Sequence, residues 1–156
     1  MAITQAVCSS FKAELLAGVH NLSASGGDTF KIALYTPEAN LNSSTVIYTA
    51  LGEITGTGYT TGGATLTNVG ISSAGTSTYF SFDNVSWPSA TFSASGALIY
   101  NSSKGNKAVL VLNFGNTYIS SGSTFTLTFP PNTSTTALCI ANRSEEHTSE
   151  LQSRET

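Results

Sequence analysis

Between residues 1 and 142 the chain has no arginine, and its only bases are Lys12, Lys31, Lys104 and Lys107. Against them stand Glu14, Asp28, Glu38, Glu53 and Asp83, which leaves a net charge of −1 over this stretch. Arginine forks and a basic field are what phosphate backbones require, so nucleic acid is not an expected ligand. No apolar run approaches the roughly 20 residues of a membrane-spanning helix. The N-terminus also lacks a basic segment leading into an apolar stretch and a small-residue cleavage site, which predicts a soluble chain without an export signal. Two cysteines, Cys8 and Cys139, are too few for a disulfide framework and have neither redox nor zinc spacing, so two separate buried thiols are expected.

Ser, Thr and Gly supply 55 of residues 1–142. Much of the solvated surface must therefore be hydroxyl and backbone rather than charge. Such a composition would suit a disordered tract, but here aromatic and β-branched residues recur in strand-like runs, which predicts a folded β domain.

Val7, Phe11 and Leu15 lie at i, i+4 and i+8, one apolar stripe of a short helix over about residues 4–17, with Gly18 as its stop. Phe30, Ile32 and Leu34 alternate with Lys31, Ala33 and Tyr35, which predicts a half-buried strand. Residues 36–47 read as a loop, and five glycines around Tyr59 mark turns over 52–63. Further strands are predicted at 66–71, 78–82, 85–87, 91–94, 97–101, 108–114, 124–129 and 137–141. Asp83-Asn84, Lys104-Gly105-Asn106 and Ser120-Ser121-Gly122 are predicted hairpin or loop connections. The fold class that follows is mainly β: an antiparallel β-sandwich or squashed barrel with one short N-terminal α-helix, a single domain over 1–142.

Catalytic chemistry finds little purchase in this pattern. His20 is the sole histidine of residues 1–142, it follows the predicted helix, and no GxSxG elbow presents a serine to it. The expectation is that it meets the last helix carbonyls. Asp28, Glu53 and Asp83 are the carboxylates from which a glycosidase pair would have to come, but all three fall in or beside turns, where solvated side chains are the rule. The Gly56–Gly62 segment fails as a phosphate-binding GxGxxG because its third glycine comes one place late and no helix follows. It reads instead as turns flanking a packed Tyr59. No catalytic, cofactor or metal residues are assigned, and no cofactor is expected.

Trp87 and the exposed-looking Tyr35, Tyr48, Tyr100 and Tyr118 carry the alternative, a carbohydrate-binding surface on which Trp87, Tyr48 and Tyr118 stack against sugar rings. For Trp87, a core position is the competing expectation. The Asn-x-Ser/Thr triplets at Asn21, Asn42, Asn84, Asn101 and Asn132 are what chance produces in so hydroxyl-rich a chain. Phe11, Leu15 and Leu16 are candidate docking or oligomer contacts if the helix does not simply close the core.

Four segments carry a family resemblance: CSSFKAELL at 8–16, DTFKIALYT at 28–36, GTGYTTGGATL at 56–66 and GALIYNSSKGNKAVLVLNFG at 96–115. In this order they resemble small proteins of tailed bacteriophages that are usually regarded as virion structural proteins, and the resemblance spans residues 6–140. It implies a non-enzymatic virion structural protein, a capsid decoration or tail-associated component. It also implies virion localisation after synthesis in the host cytoplasm, with other virion proteins and further copies of the chain as partners. The alternative is a carbohydrate-binding adhesin module that recognises host surface glycan. The charged segment RSEEHTSELQS at 143–153 departs from all of this and resembles the in-frame translation of a short-read sequencing adapter, as in a gene assembled from environmental DNA. Residues 143–156 are accordingly expected to be a non-native, disordered tail.

Overall fold

The structure is a computed structural model that describes residues 2–74 and 77–129, save the side chains of Ala74, Ser77 and Tyr79, and the backbone of 138–141. The predicted tail and the side chain of Cys139 lie outside the described residues.

The described residues form two antiparallel sheets in a sandwich-like arrangement. The larger has five strands in the order β1 (Ala6–Val7), β7 (Lys107–Leu127), β6 (Val85–Asn101), β2 (Phe30–Tyr35) and β3 (Ala64–Thr65). The smaller has three, β4 (Asn68–Ala74), β5 (Ser77–Phe82) and β8 (Leu138–Ala141), with β5 central. The sheets meet at Phe82 of β5, whose ring lies 5.7 Å from that of Phe30 in β2 and 5.7 Å from that of Phe129.

The one α-helix among the described residues, α1, runs from Ser9 to Leu16, shorter than the stripe predicts. Residues predicted for its first turn are instead extended: Ala6 and Val7 pair with Val111 and Leu110 and cover the edge of β7. A sheet edge with unpaired backbone groups outcompetes a marginal helical turn for the same residues. The predicted stop holds. Gly18, at φ 78°, donates its N–H to Leu15 and Val19 donates to Glu14, the paired bonds of a Schellman motif that only a left-handed residue permits cheaply. Phe11 is buried, so the helix closes the core over the start of β7.

Strand β2 lies where expected but is buried on both faces, not one. It pairs with β6 along its whole length, Phe30 with Asn101 through Tyr35 with Gly96, and β3 covers its other edge at Lys31 and Ile32. Its interior position follows from residues far along the chain, which the local alternation with Lys31 does not report.

The largest departure concerns the ribbon formed by β6 and β7. Three predicted strands at 85–87, 91–94 and 97–101 are one 17-residue strand, and those at 108–114 and 124–129 merge into one of 21 residues that ends at Leu127. Pro88 and its neighbours interrupt the pairing register between Trp87 and Ala90 without ending the strand, the behaviour expected of proline at a bulge. Ser120-Ser121-Gly122 is not a turn. Thr91 faces Ser121 and Ala90 faces Ser123, so Gly122, at φ 67°, is the extra residue of a bulge. Lys104-Gly105-Asn106 does turn the chain, after a 3-10 turn at Ser102–Lys104 capped by Asn101. Asp83-Asn84 carries the chain from the small sheet to the large one instead of closing a hairpin. Among the described residues the larger sheet runs from β1 to β3 without closing on itself, which favours the sandwich over the barrel.

Candidate functional site

Two polar networks contain most of the residues that sequence reasoning weighed for chemistry. The first is centred on Glu53. Its Oε1 accepts from Tyr48 Oη at 2.5 Å, and its Oε2 accepts from Tyr59 Oη and from the Gly62 N–H at 2.8 Å. Tyr59 Oη also accepts the Leu34 N–H of β2 at 3.0 Å. Tyr100 donates to the Gly62 carbonyl at 2.5 Å, and its ring stacks on that of Tyr48 with centroids 4.7 Å apart. Tyr35 donates to the Thr49 carbonyl at 2.6 Å. Glu53 is thus not the solvated turn carboxylate expected of it but the anchor that ties the glycine-rich turns 52–63 to β2 and β6. The packed Tyr59 anticipated between the glycines is present, its ring lying against Trp87 and Phe92.

Burial first pushes the phenols of Tyr35, Tyr48, Tyr59 and Tyr100 above the ordinary tyrosine value, and Glu53 adds to it, by hydrogen bond and then charge at Tyr48 and Tyr59 and by charge at Tyr35 and Tyr100. They are therefore neutral donors at physiological pH. Tyr35 and Tyr100, expected on the surface, are buried.

The second network runs from α1 to the ribbon turn. Glu14 Oε1 lies 2.8 Å from His20 Nε2, and His20 Nδ1 lies 2.9 Å from Asn101 Nδ2. Asn101 Nδ2 also donates to Asp28 Oδ2 at 2.8 Å, and its Oδ1 accepts the Ser103 N–H at 2.9 Å. Lys104 Nζ donates to Asp28 Oδ1 at 2.7 Å and the Asn21 N–H donates to Oδ2 at 2.9 Å. With Asn101 donating through its amide nitrogen, the network assigns His20 Nδ1 as acceptor and Nε2–H as donor to Glu14. Both ring nitrogens are therefore occupied, and the ring packs between Phe11 and Phe30. His20 does not reach the helix carbonyls as expected; it clasps the Glu14 side chain to the strand end.

Asp28 is likewise more than a turn residue. Burial disfavours its charge, but hydrogen bonds from Lys104, Asn101 and Asn21, together with the Lys104 charge, outweigh that and hold its carboxyl below the ordinary value. Asp28 and Glu53 sit in different networks. Asp83 is exposed, and its N–H is taken by the Thr67 carbonyl. No group of three His, Cys, Asp or Glu among the described residues is placed to hold a metal ion. Cys8 is buried, as expected, and desolvation, with Glu14 adding to it, pushes its thiol up to about 12, so it is inert at neutral pH.

The stacking candidates separate. Trp87 is only 5 % exposed and its ring packs edge-on against Phe92 and Phe125, so it offers no face to a sugar. Tyr48 is half-buried, with one ring face given to Tyr100 and its hydroxyl to Glu53. Tyr118 is 50 % exposed. Of the docking candidates, Phe11 is in the core and Leu15 packs against it, while Leu16 is 91 % exposed.

Among the described residues, the outer part of the ribbon is one surface left open for contact. Val85, Trp87, Ala90, Phe92 and Ala94 turn inward, and the opposite face carries hydroxyls. Ser86 meets Thr126 at 3.1 Å, Ser95 meets Thr117 at 2.7 Å, and Thr91 Oγ1 accepts the Gly122 N–H. Ile119, opposite Ser93 on this face, is 78 % exposed. Sequence reasoning divided this surface among separate short strands and so missed it, although the apolar/hydroxyl alternation from Val85 to Ala94 was there to be read across the Pro88 break. Asn101 was also missed, because a fully buried Asn looks the same in sequence as one in an exposed turn.

No family model, curated protein or solved structure matches the chain.

Proposed function

We propose that the chain is a non-enzymatic virion structural protein of a tailed bacteriophage, a capsid decoration or tail-associated component that works by presenting surface to other virion proteins. The observation that carries this reading is the division of labour among its polar groups. His20, Asp28 and Glu53 are committed to hydrogen bonds that hold loops and helix onto the strands. Beside them, the outer ribbon presents an uncharged hydroxyl face along two long strands. Such a face is insensitive to salt, and weak contacts repeated over many copies add up on a particle. The family resemblance of residues 6–140 supports the same reading.

The test is quantitative mass spectrometry of purified particles from a phage that carries the gene. The chain is expected at a fixed, multi-copy ratio to the major capsid or tail protein, and its absence from infectious particles overturns the proposal. The glycan-binding alternative loses Trp87 as a platform and rests on Tyr118. A glycan screen in which binding disappears on Tyr118→Ala, with the fold unchanged by circular dichroism, would favour it instead.

A further inference from the structure

The outer edge of β7 departs from the way sheet edges are normally protected. Val111 and Leu110 pair with β1, and Asn113 is held by Gln5 and the Ile3 carbonyl. From Phe114 onward β7 pairs with β6 on one side, and no described strand lies on the other. A free edge is a row of backbone donors and acceptors ready to pair with another strand, and proteins blunt such edges with charge, proline or short length. Residues 112–127, LNFGNTYISSGSTFTL, contain no charged residue and no proline. The break opposite Pro88, the bulge at Gly122 and the irregular stretch opposite Ser95 interrupt its pairing, and between the last two Tyr118, Ile119, Ser120 and Ser121 run in unbroken register with Ala94, Ser93, Phe92 and Thr91. Within that regular stretch lie the exposed apolar residues of the edge, Tyr118 and Ile119.

We propose that this edge is a self-association surface, on which the 117–121 segment pairs antiparallel with the same segment of a second copy about a two-fold axis at Ile119. The occupant follows from symmetry and charge. An axis perpendicular to the sheet keeps each face on its own side, so residues pair only with those of the same face. Centred on Ile119, it sets Ile119 against Ile119 of the second copy and Thr117 against Ser121 on either side. On the inner face it sets Tyr118 against Ser120. Every pair is apolar with apolar, hydroxyl with hydroxyl, or phenol with hydroxyl, which are favourable cross-strand partners. A single lysine or glutamate near the axis would meet its own like charge, and the segment has neither. The result is one sheet continuous across two copies, with the hydroxyl face doubled in extent.

The test begins with sedimentation velocity on the full chain, from micromolar to near-millimolar concentration. Wild type is expected to form a dimer as concentration rises. Ile119→Lys is expected to stay monomeric with an unchanged far-ultraviolet spectrum, and Leu16→Lys, at a strongly exposed apolar position on α1, to dimerise like wild type. Antiparallel partners sit about 4.5–5.5 Å apart at Cα, within the range a disulfide spans. Ile119→Cys in a Cys139→Ser background should therefore give a disulfide-linked dimer on diamide oxidation, and Leu16→Cys should not. This second variant carries the test if the lysine disturbs folding. A chain that is monomeric throughout, or a dimer broken by Leu16→Lys and not by Ile119→Lys, overturns the proposal. The inference stands apart from the virion assignment, because a dimer of this kind in a chain absent from particles would keep the edge and discard the assignment.

Discussion

The inner and outer parts of the β6–β7 ribbon are built from the same two strands and meet opposite surroundings. In the inner part, residues 96–101 pair with 107–113 and are flanked by β2 on one side and β1 on the other. Both faces of β6 are buried there, and its sequence, GALIYN, carries no alternation. Among the described residues no strand flanks the outer part, where the segment around Thr57 pairs at Thr91 on the β6 side. One face packs around Trp87 and Phe92 while the other keeps its hydroxyls in water. The same backbone geometry thus takes a continuous apolar run where it is covered twice and a period-two pattern where it is covered once.

That contrast is most directly broken in the core it shares. Trp87→Ala on the inward face of the outer part should destabilise by about 3–5 kcal/mol, and Leu98→Ala in the inner part by about 2–5 kcal/mol, read from urea unfolding midpoints. If Trp87→Ala had little effect, the outer ribbon would be an appendage and not part of the cooperative core.

Asn101 stands where the inner part meets the turn, and its removal leaves His20 Nδ1 without its donor and Asp28 with one fewer. Asn101→Ala should lower stability by about 1–3 kcal/mol in the same assay, the range for stranding buried polar groups.

The tyrosine network beside the inner part predicts an alkaline limit. Folded-state values for Tyr35 and Tyr59 are raised above the ordinary 10.0, so their contribution is complete below pH 10 and declines as pH climbs beyond it, because the unfolded chain then gives up protons that the folded chain retains. Urea midpoints should fall above pH 10, with the phenolate absorbance of Tyr35 and Tyr59 appearing only as the protein unfolds. Asp28 runs the other way. Its depressed value means stability present above 3.8 and lost as pH falls through the folded value, and Asp28→Asn should remove that acid-side slope.

The smallest effect belongs to the hydroxyl face. Ser93→Ala should change the unfolding midpoint by no more than about 0.5 kcal/mol, since it leaves no buried group unpaired. A larger loss would mean that this face is covered in solution.

Much of this architecture could be read directly from residues in sequence. The position of β2, the Gly18 stop, the turn at 104–106 and the mainly β class all follow from local signals: apolar spacing, a left-handed glycine, turn-forming residues. Those signals act over a few neighbours, and the structure obeys them where no distant partner competes. The departures lie where one does. Ala6 and Val7 left the helix for the edge of β7, and Ser120-Ser121-Gly122 became a bulge because β6 continues opposite it. The candidate site was less legible still, since Glu53 and Asp28 were placed correctly beside turns while their partners lie up to 76 residues away.

The sequence by itself determined that the domain is β-rich, nearly uncharged over residues 1–142 and coated with hydroxyls, because composition and short-range periodicity are properties of the chain before it folds. Only the tertiary structure decided that Trp87 is core, that His20 has both nitrogens engaged and that Ile119 lies exposed on an edge of β7 that no described strand covers. Burial and hydrogen-bond partners are set by which distant segments come to lie across a strand, and that is a property of the assembled sheets alone.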